Sequence, residues 1–332
     1  MTYHIISHEH IFQSETFFPQ CHASTIARMP NGGLAAAWFA GLHEKAPDVA
    51  IWLATRKGDK WSDPIAVADH IGIPCWNPVL FYANGKLTLY YKVGHEIPEW
   101  QTMYKESTDG GLTWTTQKEL VPGDKSGGRG PVKSKCLHLK NGTILAPASI
   151  EDDTRWDCFI DISTDKGVSW RRSAEVPRAP EDFTGKGIIQ PTLWEDNDGI
   201  VHMLARSTEG CIFYSKSKDN GHTWATATKT TLPNNNCGID IARLQDGRLV
   251  LVYNPISGNW AARSNIAFAV SEDNGATWGT PQILDYVHCE PHLNIEEAEF
   301  SYPAIVAHGS DVFITYTWKR KSIAFWHISL GV

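Results

Sequence analysis

The sequence predicts an all-β fold, a six-bladed β-propeller of four-stranded antiparallel blades with Asp-box turns. Two repeated turn series and the lack of helical periodicity predict it. In the first series, "STDGGLTW" at 107–114 recurs as "STDKGVSW" at 163–170, "SKDNGHTW" at 217–224 and "SEDNGATW" at 271–278. The tryptophans that close these boxes, Trp114, Trp170, Trp224 and Trp278, are spaced by 56, 54 and 54 residues. A worn copy, "TRKGDKW", ends at Trp61, 53 residues before Trp114.

The second series runs out of step with the first. Its members are "PNGGLAAAW", "ANGKLTLYY", "KNGTILAPA", "NDGIVHMLA", "QDGRLVLVY" and "AHGSDVFITY", six turns in 332 residues. Asn-Gly and Asp-Gly between alternating apolar runs mark hairpins, because both central residues tolerate positive φ. Each unit therefore reads strand, tight turn, strand, loop, strand, box turn, strand. The third unit shows it as "KCLHLK", Asn141-Gly142, "TILAPASI", a loop, "DCFIDIS" and the box. The last unit holds three evident strands ending in "SIAFWHISL", and the N-terminal "YHIISHEHIF" is expected to close the ring as its fourth. The whole of 1–332 reads as one propeller domain. In the box, Asp bonds the backbone of its own loop, Gly supplies the positive φ, and Trp packs between blades. The box is scaffold, toward the outer rim.

A net charge of -7 with no dense basic stretch sets nucleic acid aside. No apolar run approaches the roughly 20 residues that span a bilayer, so no membrane is expected. The start "MTYHIISHEHIF" lacks the features of a signal peptide. Seven scattered cysteines without CxxC read as free thiols. These features point to the cytoplasm. "HCEPH" at 288–292 gathers His, Cys and Glu, but its spacing matches no standard zinc site, and neither metal nor cofactor is expected.

The start of strand one and the end of strand two of every blade share one edge, so their polar residues converge on one mouth of the channel. Blade one presents His22, His43, Glu44 and Asp48, and blade two Asn77 and Lys92. Blade three adds Arg129, Lys133, Lys135 and Glu151, and blade four Gln190 and Arg206. Asn235, Asn236, Asp240 and Arg263 come from blade five, with Glu299, Tyr302, Lys319 and Arg320 from blade six. A cationic mouth in an acidic chain suggests an anionic ligand.

These segments resemble the sialidase (neuraminidase) superfamily, in particular its bacterial Asp-box branch, over essentially the whole chain. That family removes terminal sialic acids with retention: an arginine triad holds the sugar carboxylate, a Tyr activated by a Glu is the nucleophile, and an Asp is the acid/base. The resemblance implies that Arg263 in "WAARSNIAFAVSEDNGATW" and Arg206 in "DGIVHMLARS" are triad members and that Tyr302 in "EFSYPAIV" is the nucleophile. "QCHASTIARMPNG" departs from it by placing His22 where the first Arg is expected, and "IIQPTLW" offers Gln190 in place of Glu. The acid/base falls to Asp48 or Glu44 in "HEKAPDVAIWLA". Asn77, Lys135 and Asp240 are expected to help bind substrate. The substrate expected is an oligosaccharide ending in an acidic sugar, sialic acid or uronate-like. Three functions follow: a sialidase-type hydrolase, a uronate lyase in which His22 or Tyr302 takes the α-proton, and a non-catalytic sugar-binding propeller in which Trp38, Trp76 or Trp100 stacks on the ring.

Overall fold

The computed structural model describes residues 2–287 and 299–331. "HCEPH" lies outside them. The chain forms six sheets in a ring, a six-bladed β-propeller. Blade one is β2 (Gln20–Arg28), β3 (Leu34–Gly41), β4 (Ala50–Lys57), β5 (Lys60–Trp61) and β6 (Ile65–Ala68), the last two both pairing with β4. Blade two is β7 (Cys75–Ala83), β8 (Lys86–Val93), β9 (Gln101–Ser107) and β10 (Lys118–Glu119). Blade three is β11 (Leu137–His138), β12 (Ile144–Glu151), β13 (Trp156–Ser163) and β14 (Arg171–Arg172). Blade four is β15 (Ile188–Glu195), β16 (Val201–Ser207), β17 (Cys211–Ser217) and β18 (Thr228–Pro233). Blade five is β19 (Asp240–Arg243), β20 (Leu249–Tyr253), β21 (Asn265–Ser271) and β22 (Gln282–Tyr286). Blade six is β23 (Phe300–His308), β24 (Asp311–Trp318) and β25 (Ser322–Leu330), completed by β1 (Tyr3–His10). As expected from the sequence, β1 pairs with β25, from Tyr3 opposite Leu330 to His10 opposite Ala324.

The boxes lie where strand three turns into strand four, and one wiring serves all four. In the first, Ser107 Oγ donates to Asp109 Oδ1 at 2.8 Å, and the Gly111 N–H donates to Ser107 Oγ at 2.8 Å. The Thr113 N–H and hydroxyl close onto the same carboxylate at 2.9 and 2.6 Å. The box tryptophans pack between blades: Trp170 meets Tyr90 of blade two edge-on, centroids 6.3 Å apart.

The innermost strands carry the feature that builds the mouth. The register slips between His22 and Thr25 in β2, Trp76 and Val79 in β7, Ile189 and Thr192 in β15, and Ser301 and Ala304 in β23. At each slip one non-glycine residue is left-handed: Ala23 (φ 58°), Asn77 (40°), Gln190 (52°) and Tyr302 (52°). Such backbone is disfavoured by about 1–3 kcal/mol per residue and persists only where its surroundings over-determine it. Here those surroundings are bonds between blades. The Leu80 N–H donates to Thr25 Oγ1 at 3.1 Å, that of Ile241 to Thr192 Oγ1 at 3.1 Å, and that of Ala23 to Thr317 Oγ1 at 3.1 Å. That of Ile305 donates to Asp240 Oδ2 at 3.0 Å.

Candidate functional site

The bulges of β15 and β23 turn Gln190 and Tyr302 toward each other across the channel mouth. Arg206, near the end of β16, completes the group. Its Nη1 donates to the Tyr302 hydroxyl oxygen at 2.9 Å and to Gln190 Oε1 at 3.0 Å, and its Nε donates to Asn236 Oδ1 at 2.9 Å. Gln190 Nε2 also faces the Tyr302 oxygen, at 3.4 Å. Two donors thus aim at the phenolic oxygen, the arrangement that stabilises negative charge there. Arg206 is 1% exposed, and among the described residues no carboxylate pairs with it. Its guanidinium instead lies 5.6 Å from the Trp156 ring and 5.8 Å from those of Trp260 and Tyr302. Buried charge without a counter-ion is expensive, and aromatic faces offset only part of that.

Arg263 lies beside Tyr302, 5.6 Å from its ring, but its charge is taken. Glu299 accepts from Arg263 Nη1 at 2.7 Å and from Arg320 Nε at 2.7 Å, while Arg320 Nη1 reaches Glu44 at 2.6 Å. Burial opposes ionisation of Glu299, but His22 when protonated, and then the fixed charges of Arg320 and Arg263, hold its carboxyl well below the usual range. His22 itself is neutral near pH 7, because burial and then the Arg320 charge push its imidazole far down. Its Nδ1 pairs with the Thr317 hydroxyl at 2.9 Å, and its ring lies 4.3 Å from that of Tyr302. Burial and the neighbouring arginines thus oppose a charge on His22, which stands where a third cation was expected. Beside this chain of ion pairs a cavity of about 540 Å³ opens between blades one and six, lined by His43, Glu44, Glu299, Lys319 and Arg320.

Other expected site residues make their bonds outside the Tyr302 group. Asp48 accepts the Leu42 N–H at 3.0 Å and braces its own loop. Lys135 and Asp240 form no hydrogen bond with Tyr302, Gln190 or Arg206. They pair with each other at 3.0 Å, and Asp240 also takes the Thr192 hydroxyl at 2.7 Å, so it stitches blades together. Asn77 is buried on its own bulge, with no bonded partner among the described residues. Much of the expected cationic mouth is internal wiring. Arg129 pairs with Asp161 at 2.8 Å and Asp124 at 2.7 Å, and Lys133 donates to the carbonyls of Ile239 and Pro303. Burial pushes Lys92 down to about 7 and Lys133 to about 8. Trp38, Trp76 and Trp100 are core residues at 0, 3 and 5% exposure, not platforms for a sugar.

Sequence reading missed Trp260. It is 62% exposed, left-handed at φ 60°, and 5.8 Å from the guanidinium carbons of both Arg206 and Arg263. Its loop is pinned by Asn235, whose Nδ2 donates to the Ala262 carbonyl at 2.8 Å, and by Asn236, whose Nδ2 donates to Asn259 Oδ1 at 2.8 Å. "SGNWAARS" carries no periodic or turn signal that singles this Trp out. Among the described residues no cluster of His, Cys, Asp and Glu is arranged to hold a metal ion.

Solved structures share this architecture. A protein of unknown function from Dyadobacter fermentans superposes with a TM-score of 0.78 at 17% identity, over 99% of both chains. The Hadza microbial sialidase Hz136 gives 0.81 at 15%, over 97% of this chain and 68% of that one. The intramolecular trans-sialidase from Ruminococcus gnavus gives 0.69 at 13%, over 96% of each. At these identities the likeness is one of fold. No curated protein sequence matches the chain. The profile described as "BNR repeat-like domain" matches residues 32–314, and the chain belongs to that family, with the fold of the sialidases.

Proposed function

We propose that this propeller is a sialidase-like glycoside hydrolase that removes a terminal acidic sugar, sialic acid or uronate-like, from an oligosaccharide. One observation carries the reading: Arg206 is a buried cation that no carboxylate among the described residues hydrogen-bonds, and it bonds the oxygen of Tyr302. A sugar carboxylate would supply the missing counter-charge. Tyr302 would then stand as nucleophile, with Arg206 and Gln190 stabilising its phenolate, and Trp260 would cover the ring. Because Glu299 occupies Arg263 and Arg320, the anion is held chiefly by Arg206.

The test is release of the free sugar from 4-nitrophenyl glycosides of N-acetylneuraminate and glucuronate. Tyr302→Phe should lower kcat by about a thousandfold or more, as for loss of a nucleophile; a variant with full activity rejects the assignment. The His22 ring, 4.3 Å from that of Tyr302, favours a second reading, a lyase that takes the proton α to a uronate carboxylate. A lyase product absorbs in the ultraviolet, and a hydrolase product does not.

A further inference from the structure

We propose that Glu151 is the proton-transfer group of this site, giving its proton to the leaving oxygen and later taking one from water. The proposal rests on the hydrolase reading and names the acid/base that reading needs. Other carboxyls of the mouth are engaged. Asp48 holds the Leu42 N–H, Glu44 pairs with Arg320, Glu299 is bound by Arg263 and Arg320, and Asp240 pairs with Lys135. Glu151 accepts no hydrogen bond and forms no direct ion pair among the described residues; Arg206 and Lys186 act on it only at longer range.

Its placement follows from strand alternation. Along β12 the register with β13 is regular, Ser149 opposite Cys158 and Glu151 opposite Trp156. Ser149 Oγ accepts the Gln190 N–H at 3.3 Å, so that face of β12 looks toward blade four. Glu151, two residues on, shares the face. Its cross-strand partner Trp156 lies 5.6 Å from the Arg206 guanidinium, and Arg206 reaches the Tyr302 oxygen at 2.9 Å. Two charges face it: Arg206 from β16 and Lys186 just before β15. The nearby Asp157 is taken by Arg155 and Arg178. Burial raises the Glu151 carboxyl, outweighing the opposite pull of Arg206 and Lys186. A carboxyl that holds its proton longer than an ordinary Glu suits a general acid.

The chemistry balances. The Tyr302 proton passes to solvent, and the phenolate bonds to the anomeric carbon as the glycosidic C–O bond breaks. The Glu151 proton moves to the departing oxygen. Water then attacks the glycosyl-tyrosine, Glu151 takes the water proton, and Tyr302 leaves as phenolate and is reprotonated from solvent. The sum is glycoside plus water to sugar plus alcohol.

The variant is Glu151→Gln, with Glu44→Gln for comparison. Because the Glu151 carboxyl accepts no hydrogen bond among the described residues, the Gln form should keep its Tm. Its kcat/KM on a methyl glycoside of the acidic sugar should fall about a hundredfold or more, the size of a general-acid contribution. On the 4-nitrophenyl glycoside, whose leaving group needs no proton, the loss should stay under about tenfold, with added azide restoring turnover. Glu44→Gln should show no such dependence on leaving group. Equal losses on both substrates, or none, overturn the proposal. Titration of the 13C-labelled carboxyl, assigned by its absence in Glu151→Gln, reads the group without turnover. It should titrate above the ordinary glutamate range and shift when N-acetylneuraminate or glucuronate is added. An ordinary titration, unmoved by either sugar, also overturns it. Release of no sugar by the wild type from any glycoside would instead overturn the hydrolase reading, with the titration still deciding Glu151.

Discussion

Arg206 is a residue whose removal should separate function from stability. Its buried charge has neutral partners, Asn236, Gln190 and Tyr302, so its removal strands no opposite charge and leaves only the Asn236 and Gln190 carbonyl oxygens short of a donor. Arg206→Met should abolish binding of an acidic sugar while changing stability by no more than about 1–2 kcal/mol, because relief of the buried charge offsets the two lost hydrogen bonds. Arg129→Met should do the reverse. It would strand Asp161, whose side chain is fully buried, and lower stability by about 3–5 kcal/mol. Chemical denaturation of both variants reads the contrast. Arg206 was legible because its segment ends a patterned hairpin. That Arg129, Lys92 and Lys133 are spent internally was not legible, because their partners Asp161, Thr102 and Ile239 are set by the closed ring and no local pattern announces them.

At the scale of elements, bulge and box do different work. The box carboxylates Asp165, Asp219 and Asp273 are held down to about 2, Asp165 and Asp273 chiefly by the Ser169 and Thr277 hydroxyls. For Asp219, burial pulls up and is outweighed by Thr223 and Ser217. A depressed folded value contributes stability that is complete above the unfolded value near about 3.9 and is lost as pH falls toward about 2. Acid unfolding should therefore set in between about pH 4 and pH 2. Asp219→Asn should make stability in that window depend less on pH and lower the neutral-pH Tm by roughly 2–4 °C; an unchanged acid transition rejects the role. The boxes could be read from sequence because all their bonds lie within eight residues. The bulges left a fainter mark, the recurring Asn77-Pro78, Gln190-Pro191 and Tyr302-Pro303. Proline there supplies no N–H to the ladder, so the slip in register is built into the strand.

For the whole molecule, the ring is closed by β1, which lies at the far end of the chain from its partner β25. Deleting residues 2–10 would leave β25 as an open edge and should lower Tm by several degrees while the other blades keep their pairing, read by circular dichroism and hydrogen exchange. This closure was predictable by counting strands. The site was only half predictable: Arg206, Tyr302 and Gln190 meet as their segments suggested, whereas the pairing of Glu299 with two arginines and the placing of Trp260 arise from which blades become neighbours.

The proposed role of the buried Arg206 guanidinium beside the Tyr302 phenol is to bind the anion of a sugar. Calorimetric titration of the wild type and Arg206→Gln with glucuronate and with neutral glucose tests it most directly. Glucuronate alone should bind, its affinity weakened about 10- to 150-fold or lost in the variant, as for a charge-assisted bond of about 1.5–3 kcal/mol. Equal affinity for the neutral sugar, or glucuronate binding that survives the substitution, would contradict it.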